Sequence, residues 1–274
     1  MGDTHLDKRG HTAYTEEMII DGKGLAHRRV EELRHIRGTF GPLTLALVVS
    51  NPDAVTHSYI KIKKRIAHEL DVTVVECASI ADALDADGII LQLPLPPGRD
   101  VEYERNQIPV RKDVDILGDA AYSKFVIGEY PPPPVARALK TILQNYKIDC
   151  TEKKVAVVGH GRLVGLPSAA LFRKLGAFVT VVEKGADVRA ATYDADIVVL
   201  GVGHPGLLTP EMIKDGVIIL DAGTSESGGK VVGDADPACA EKASLFTPVP
   251  GGVGPIAVAE IFANLFTLHA REKN

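Results

Sequence analysis

Residues 154–167, KVAVVGHGRLVGLP, predict the fold of the second half of the chain. Residues 154–158 are apolar and mostly β-branched, which is typical of a short strand, and a glycine turn follows them at once. A helix is predicted next, over residues 168–175. A strand, a glycine turn and a helix in that order are how an α/β sheet binds a dinucleotide.

Each glycine of this turn has its own use in dinucleotide binding. Gly159 and Gly161 lack a Cβ atom, so the backbone can approach a pyrophosphate, and Gly165 lets the helix lie close to the strand. Residues 177–182 predict a second strand, and Glu183 follows it about 20 residues beyond the glycines, where a ribose-binding acid is expected. The same glycines occur in plain tight connections, but the surrounding strands and Glu183 favour a dinucleotide site.

The composition is that of a globular protein long enough for two domains. The chain has 274 residues, of which 45% are hydrophobic and 24% charged, ordinary values for a soluble protein. Its formal net charge is −5 and it has no long basic run, so we expect no nucleic-acid partner. We also expect no apolar run long enough to cross a membrane.

Three cysteines, Cys77, Cys150 and Cys239, are scattered along the chain. Their spacing does not suit a metal site, so no metal is expected, and their odd number suggests a reducing compartment. Residues 1–14 lack the apolar core of a signal peptide. We therefore expect a cytoplasmic protein.

Strands alternate with helices in the first half of the chain, which predicts parallel βαβ units. The connection between the second and third strands is too short for more than about two helical turns. The predicted strands are residues 43–50, 71–76 and 88–93, and the predicted helices are residues 16–37, with an interruption at 22–24, and 56–70, while residues 116–130 are expected to be less regular.

Pro131–Pro134 predict a domain boundary, because a proline run cannot lie inside a helix or a central strand. We expect two α/β domains with a cleft between them, the second a Rossmann-type dinucleotide-binding domain. The first would comprise residues 1–130 and a C-terminal helix, 256–274, that packs back on it, and the second residues 131–255. Further predicted elements of the second domain are a helix over 135–145 and strands over 195–202, 216–223 and 244–246.

Tyr59 and Lys63 stand four residues apart in the predicted helix, so their side chains share one face. On its own, such a lysine is usually a solvated surface charge. Gln92, however, is a polar residue at the end of an apolar strand, at the edge of the sheet where ligands bind in open α/β folds. It would either satisfy neighbouring backbone groups or position the ammonium group of Lys63.

Residues 247–255, TPVPGGVGP, form a rigid segment of small residues. Such a segment lets a flat ligand approach the main chain closely, although a tight turn between domains would have the same composition.

Five segments together resemble the bifunctional methylenetetrahydrofolate dehydrogenase/methenyltetrahydrofolate cyclohydrolase family. They occur in the family's order, and QLPLP and PGGVGP are the most specific of them. The segments are Tyr59-x-x-x-Lys63, QLPLP at 92–96, KDVD at 112–115, GHGRLVGLP at 159–167 and PGGVGP at 250–255.

The resemblance implies a role for each matching position. Lys63 would be the catalytic lysine, oriented by Gln92. Tyr59 would stack on the folate, and Asp115, with Asp113 as the alternative, would bind the pterin ring. Pro250, Gly251 and Gly252 would border the folate and the nicotinamide. The cofactor would be held by Gly159, His160, Gly161, Arg162, Leu163, Gly165, Glu183 and Gly203.

The resemblance and the charges point to different cofactors. The family commonly has Gly-Arg-Ser at the turn and uses NADP, whereas this chain has Gly159-His160-Gly161. Glu183 would accept a hydrogen bond from a ribose 2′-hydroxyl and repel a 2′-phosphate, which favours NAD. Arg162 or Lys184 could still hold a phosphate.

Other positions also depart from the family's pattern. Ile116 replaces its glycine after KDVD, Ala257 replaces a threonine, and Pro131–Pro134 replace a Pro-Cys-Thr-Pro segment. The segment before QLPLP is also shorter than usual in the family.

The activity implied by the resemblance is the oxidation of 5,10-methylenetetrahydrofolate to the methenyl compound with NAD(P), followed by hydrolysis to 10-formyltetrahydrofolate. The resemblance also implies a homodimer paired through the cofactor domain. Three alternatives stay open: a dehydrogenase without the hydrolase step, a non-catalytic dinucleotide-binding regulator, and a dehydrogenase of small hydroxy or amino acids. The last would need an arginine for the substrate carboxylate, and no strong candidate stands beside the motifs.

Overall fold

The computed structural model describes residues 19–50 and 54–272 and contains two separate parallel sheets. The strands of the first sheet are β1 (Thr44–Val48), β2 (Thr73–Cys77) and β3 (Gly88–Leu91), in the order β2-β1-β3. The strands of the second are β4 (Lys154–Val158), β5 (Phe178–Val182), β6 (Ile197–Leu200), β7 (Ile218–Asp221) and, after the antiparallel hairpin of β8 (Ser225–Ser227) and β9 (Lys230–Val232), β10 (Leu245–Phe246). The order of the second sheet is β10-β7-β6-β4-β5.

Helices connect the parallel strands and cover their faces. The helices are α1 (Gly22–Arg37), α2 (Ala54–Glu69), α3 (Val101–Arg105), α4 (Asp119–Val126), α5 (Pro134–Asn145), α6 (Gly165–Lys174), α7 (Val188–Thr192) and α8 (Val253–Glu272). The two α/β domains, with a Rossmann-type sheet in the second, confirm the predicted fold class.

Both sheets have a switch point where the chain changes direction across the sheet. In the first sheet β1 is central, β2 lies on one side of it and β3 on the other. In the second sheet β4 is followed by β5 on one side and by β6 on the other. Ligands of open α/β sheets bind beside such points, at the carboxyl ends of the strands. Gln92 follows β3 directly, and Gly159 follows β4 directly.

The last helix, α8, joins the two hydrophobic cores. Its first turns contribute Val253 and Ile256 to the core of the second domain, and its later turns contribute Phe262 and Phe266 to the core of the first. The residues 253–271 are long and apolar enough to cross a membrane, with a mean hydropathy of 1.4, contrary to the expectation from the sequence. Because 72% of that stretch is buried inside the protein, α8 packs as a core helix.

Several predicted local structures are wrong. Residues 22–24 start α1 rather than interrupt a helix, because the Asp21 carboxylate accepts a hydrogen bond from Gly24 N at 2.9 Å and caps the first turn. The glycine turn passes into α6 at Gly165, three residues earlier than predicted. The expected irregular stretch contains α4. The connection between β2 and β3 is as short as predicted, since it holds a single 3₁₀ turn, Ala81–Ala83. Residues 16–18 of the first predicted helix lie outside the described residues.

Candidate active site

A cavity of about 560 Å³ lies between the two domains. The first domain contributes Tyr59 and Lys63 from α2 and Gln92 from the end of β3. The second contributes Leu163 and Val164, which immediately precede α6, and the PGGVGP segment, which passes into α8 at Val253. The helix lysine and the end of the glycine turn therefore face one shared cavity.

The Lys63 amine is buried at the wall of this cavity, with the residue only 6% exposed. Its Nζ donates a hydrogen bond to Gln92 Oε1 at 2.7 Å. The other amide atom of Gln92, Nε2, donates to Leu93 O at 3.0 Å, which keeps Oε1 turned toward the lysine. Burial lowers the pKa of Lys63, because a charged ammonium loses its hydration, while the nearby Asp115 carboxylate raises it.

Asp115 and Asp113 have different surroundings although they are two residues apart. Asp115 lines the cavity, and burial raises its pKa while the Lys63 ammonium lowers it. Asp113 accepts hydrogen bonds from Leu117 N at 3.0 Å and Gly118 N at 2.8 Å, and burial raises its pKa to about 7. Asp113 therefore fixes the backbone of Leu117 and Gly118, and Asp115 is the carboxylate that faces the cavity.

Tyr59 connects the two domains across the cavity. Burial raises the pKa of its phenol, and a hydrogen bond with the Thr224 side chain, from the second domain, lowers it. A Cβ atom on Gly254 would lie 3.0 Å from the Tyr59 hydroxyl, so PGGVGP runs directly against this ring. Gly251 has φ +109°, a conformation that glycine adopts readily. These contacts explain why the PGGVGP segment contains small residues.

The glycine turn has the backbone shape that a pyrophosphate requires. Gly159 has φ +106°, and a Cβ atom on Gly165 would lie 2.1 Å from Gly159 O, so α6 starts in close contact with the end of β4. A Cβ atom on Gly161 would meet nothing within 4 Å, so the turn is open on that side. These features fit a bound dinucleotide at the start of α6.

The remaining predicted cofactor residues lie around the same edge of the second sheet. Gly159 and Glu183 follow the paired ends of β4 and β5, and the His160 Nδ1 atom lies 3.5 Å from Glu183 Oε1. Gly203, with φ +76°, lies in the loop after β6, whose backbone N–H groups donate to the Asp234 carboxylate. Leu163 alone of the eight predicted cofactor residues lines the described cavity itself.

Arg162 points away from the cavity, toward the first domain. Its Nε donates to Leu117 O at 2.9 Å and its Nη2 to Gly118 O at 2.8 Å. The sequence places this arginine in the cofactor turn but does not show that its side chain reaches the other domain.

Sequence reasoning also missed several polar residues of the cavity, among them Thr224, Asp221 and Lys23. Thr224 and Asp221 come from the end of β7, and Lys23 from the start of α1. The sequence could have identified Thr224 and Asp221, because polar residues that follow a buried strand lie at the ligand-binding edge of the sheet. Lys23 could not be found this way, because α1 reaches the cavity through tertiary packing. A Cβ atom on Gly22 would lie 1.9 Å from Gly252 O, which shows how closely α1 approaches PGGVGP.

Comparisons with known proteins agree with this arrangement. Residues 133–273 match the family model described as tetrahydrofolate dehydrogenase/cyclohydrolase, NAD(P)-binding domain. A bifunctional protein FolD from Methanospirillum hungatei is 36% identical over 267 residues, which cover 90% of this chain and 95% of the relative.

Two solved structures share the fold. The bifunctional 5,10-methylenetetrahydrofolate dehydrogenase/cyclohydrolase from Thermoplasma acidophilum has a TM-score of 0.83 and 30% identity, covering 93% of this chain and 99% of that one. The methylenetetrahydrofolate dehydrogenase-cyclohydrolase (FolD) from Trypanosoma brucei, solved with NADP and an inhibitor, has a TM-score of 0.87 and 27% identity, covering 95% and 99%. This chain therefore belongs to the tetrahydrofolate dehydrogenase/cyclohydrolase family.

Proposed function

We propose that this protein oxidises 5,10-methylenetetrahydrofolate with NAD(P) and hydrolyses the methenyl product to 10-formyltetrahydrofolate. The observation that carries the proposal is the buried Lys63 amine, hydrogen-bonded to Gln92, in a cavity that also borders the start of α6. The names of the similar structures from Thermoplasma acidophilum and Trypanosoma brucei state the same pair of activities and support the proposal.

The four site residues predicted in the first domain each have a role in this proposal. Tyr59 stacks on the folate ring system, and Asp115 accepts hydrogen bonds from the pterin. Gln92 holds the Lys63 amine toward the one-carbon bridge. Pro250, Gly251 and Gly252 keep the folate close to the nicotinamide, because their small or rigid backbone leaves room for two flat rings.

The second domain holds the dinucleotide. The backbone of Gly159, His160, Gly161 and Gly165 would surround the pyrophosphate at the start of α6, with Leu163 on the cavity side and Gly203 across the turn. A nicotinamide held there would supply the hydride acceptor for oxidation of the methylene carbon of the folate. The cavity between the two domains would hold the two rings close together.

Hydrolysis of the methenyl product uses Lys63 as a base. The lowered pKa of Lys63 increases the fraction of neutral amine, which accepts the proton that water loses as it attacks the methenyl carbon. The ammonium that results is stabilised by Gln92 and by the Asp115 carboxylate. The same ammonium can return the proton when the ring opens.

A single assay tests both activities. Purified protein is mixed with 5,10-methylenetetrahydrofolate and either cofactor, and the absorbances of reduced nicotinamide and of the methenyl compound are followed separately. Reduced nicotinamide should accumulate while the methenyl compound rises briefly and then decays faster than in buffer alone. A methenyl compound that decays at the buffer rate would indicate a dehydrogenase without the hydrolase step, and no reduced nicotinamide with either cofactor would contradict the proposal.

We further propose that NAD is the preferred cofactor. Glu183 stands at the end of β5 with its carboxylate exposed, and it faces His160 rather than an arginine. A carboxylate there accepts hydrogen bonds from ribose hydroxyls and repels a 2′-phosphate. The Arg162 guanidinium is engaged by Leu117 and Gly118, so it does not offset this repulsion.

The preference can be tested at Glu183. Glu183→Ser should raise kcat/KM for NADP relative to that for NAD by roughly tenfold or more, because the repulsion is removed. The ratio of the two kcat/KM values is measured in the wild type and the variant, with Asp187→Ser, another exposed acid after β5, as the control. Faster turnover of the wild type with NADP than with NAD at equal concentration would contradict the proposed preference.

We also propose the bounds of the two domains, the dimer interface and the cellular location of the protein. Residues 1–130 with the C-terminal helix form the folate-binding unit, and residues 131–255 form the dinucleotide-binding unit. Two copies pair through the second domain, where β5 is an edge strand and Phe178 on it is 66% exposed. The protein is cytoplasmic, and the three cysteines, all free thiols, support this location.

A further inference from the structure

The loop that carries Asp115 contains a strained residue. Ile116, the next residue, has φ +53°, which places a β-branched side chain in the left-handed region. The Ile116 side chain is buried in the core of the first domain, with the residue 1% exposed. A strained conformation of this kind persists only where the surrounding contacts enforce it.

Two residues from different domains enforce the conformation of this loop. From inside the first domain, the Asp113 carboxylate accepts hydrogen bonds from Leu117 N and Gly118 N. From the second domain, Arg162 donates to the carbonyl oxygens of the same two residues, at 2.9 and 2.8 Å. The backbone N–H groups of Leu117 and Gly118 are therefore held by the first domain and their carbonyl oxygens by the second.

The Arg162 guanidinium is itself fixed in place. Its Cζ lies 4.0 Å from the centre of the Tyr122 ring, and its Nη2 lies 3.2 Å from Asp119 Oδ1. The side chain is only 15% exposed. Because Arg162 lies between Gly161 and Gly165, its backbone belongs to the turn proposed to hold the dinucleotide, while its side chain ends on the loop of Asp115.

We infer that Arg162 is a positioning residue that connects the dinucleotide turn to the folate site by holding the strained loop of Asp115. The inference rests on the proposed function, because it assumes that Asp115 binds the folate. When the turn changes position on binding a dinucleotide, the loop of Asp115 changes position with it. Loss of the Arg162 contacts lets Ile116 relax toward negative φ and displaces Asp115.

The first test separates folate binding from catalysis. Arg162→Met keeps much of the apolar stem but removes both donated hydrogen bonds, and it should raise the KM for methylenetetrahydrofolate roughly tenfold, with a smaller change in kcat. Lys174→Met is the matched control. Lys174 also joins the domains, donating to Phe125 O and lying 4.7 Å from the centre of that ring, but it does not touch the loop. Its KM should stay within about twofold of the wild type.

The second test uses the strain itself. In the Arg162→Met background, Ile116→Gly removes the energetic cost of a positive φ at this position. Ile116→Ala removes a similar part of the buried side chain but keeps that cost. Glycine should lower the KM about fivefold relative to alanine, because only glycine keeps the loop in its present conformation without Arg162. Circular dichroism melts of all variants confirm that the assays are run on folded protein.

The outcomes distinguish the inference from the proposed function. If the wild type oxidises methylenetetrahydrofolate but Arg162→Met behaves like Lys174→Met, or if glycine and alanine at position 116 give equal KM values, the inference is overturned. If the wild type has no such activity, the proposed function fails instead, and binding of a dinucleotide should then still differ between Arg162→Met and Lys174→Met.

Discussion

At the scale of single residues, two opposing effects set the pKa of Lys63 in the site. Burial lowers the pKa of its amine and the Asp115 carboxylate raises it. A base that works near neutral pH needs a lowered pKa, whereas binding of the pterin needs the carboxylate to stay ionised. The pKa of Lys63 and the pKa of Asp115 therefore depend on each other, and a substitution at one residue should change the titration of the other.

Asp115→Asn provides a test of that coupling. Removing the carboxylate removes the interaction that raises the pKa of Lys63, so this pKa should fall further. The neutral amine then persists to lower pH, and the acid limb of the pH profile of cyclohydrolase kcat should move to lower pH by roughly one unit. The profile is measured on the methenyl substrate without nicotinamide.

Glu226→Gln is the control for this shift, because Glu226 lines the same cavity but is not among the groups that shift the pKa of Lys63. Its acid limb should coincide with that of the wild type. An acid limb of Asp115→Asn at higher pH than in the wild type would show that another group titrates in this range.

Part of this residue-scale geometry could be predicted from the sequence. Tyr59 and Lys63 are one helical turn apart, and Gln92 ends an apolar strand, so periodicity and the sheet-edge rule bring them to one region. Thr224 and Lys23 could not be assigned, because their positions depend on how the two domains pack. The direction of the Arg162 side chain was also beyond reach, since a turn residue can face either the ligand or the neighbouring domain.

At the scale of elements, the glycine turn sets the distance between β4 and α6. Gly165 is the residue of closest approach, because its Cα faces Gly159 O with no room for a Cβ atom. The sequence predicted this close packing, but it placed the start of the helix at residue 168. Pro167 lies inside the first turn of α6, where proline is tolerated because its missing N–H would have no helical partner.

Gly165→Ala tests this packing. The added Cβ atom would overlap Gly159 O, so α6 must move away, and the free energy of unfolding should fall by about 1–3 kcal/mol. The same shift should weaken NAD binding about tenfold or more, because the first turn of α6 no longer faces the pyrophosphate. Urea denaturation and isothermal titration calorimetry measure the two effects.

Gly161→Ala is the companion variant, because its Cβ atom would enter open space. Its unfolding free energy should stay within about 0.5 kcal/mol of the wild type. Equal losses of stability in the two variants would contradict the assignment of Gly165 as the contact residue.

At the scale of the whole molecule, α8 and a buried carboxylate hold the domains together. Glu260 is fully buried, and Arg29 Nε from α1 donates to its Oε1 at 3.0 Å, while Arg137 Nε from α5 lies 2.7 Å from its Oε2. Asn264, one turn further along α8, donates to Val114 O and Pro132 O. This network therefore joins three helices, the segment before Asp115 and the proline run at the start of α5.

Glu260→Gln removes the negative charge but keeps the shape of the side chain. Two partly buried arginines then lose their counter-charge, so the free energy of unfolding should fall by about 3 kcal/mol. Glu32→Gln removes the exposed partner of the same Arg29 and should cost less than about 1 kcal/mol. Urea denaturation of both variants makes the comparison, and equal losses would contradict the role of Glu260.

The two α/β sheets could be predicted because strands and helices alternate along the chain. The buried charge network could not, since Glu260 and Asn264 look like surface positions in an amphipathic helix. Their burial follows from α8 lying between α1 and α5, a tertiary arrangement that no local pattern encodes. The length and apolar character of α8 have the same cause, because a helix between two cores is apolar on most sides.

The most direct measurement of the central claim compares Lys63→Met with the wild type. The rate of methenyltetrahydrofolate hydrolysis and the NAD dissociation constant are determined on the same two preparations. We predict that the variant loses the enzyme-catalysed hydrolysis and keeps an NAD dissociation constant within about twofold of the wild type, because Lys63 is hydrogen-bonded to Gln92 in the first domain and lies outside the glycine turn. A variant that hydrolyses the methenyl compound at the wild-type rate would contradict the role of the buried lysine and, with it, the proposed mechanism.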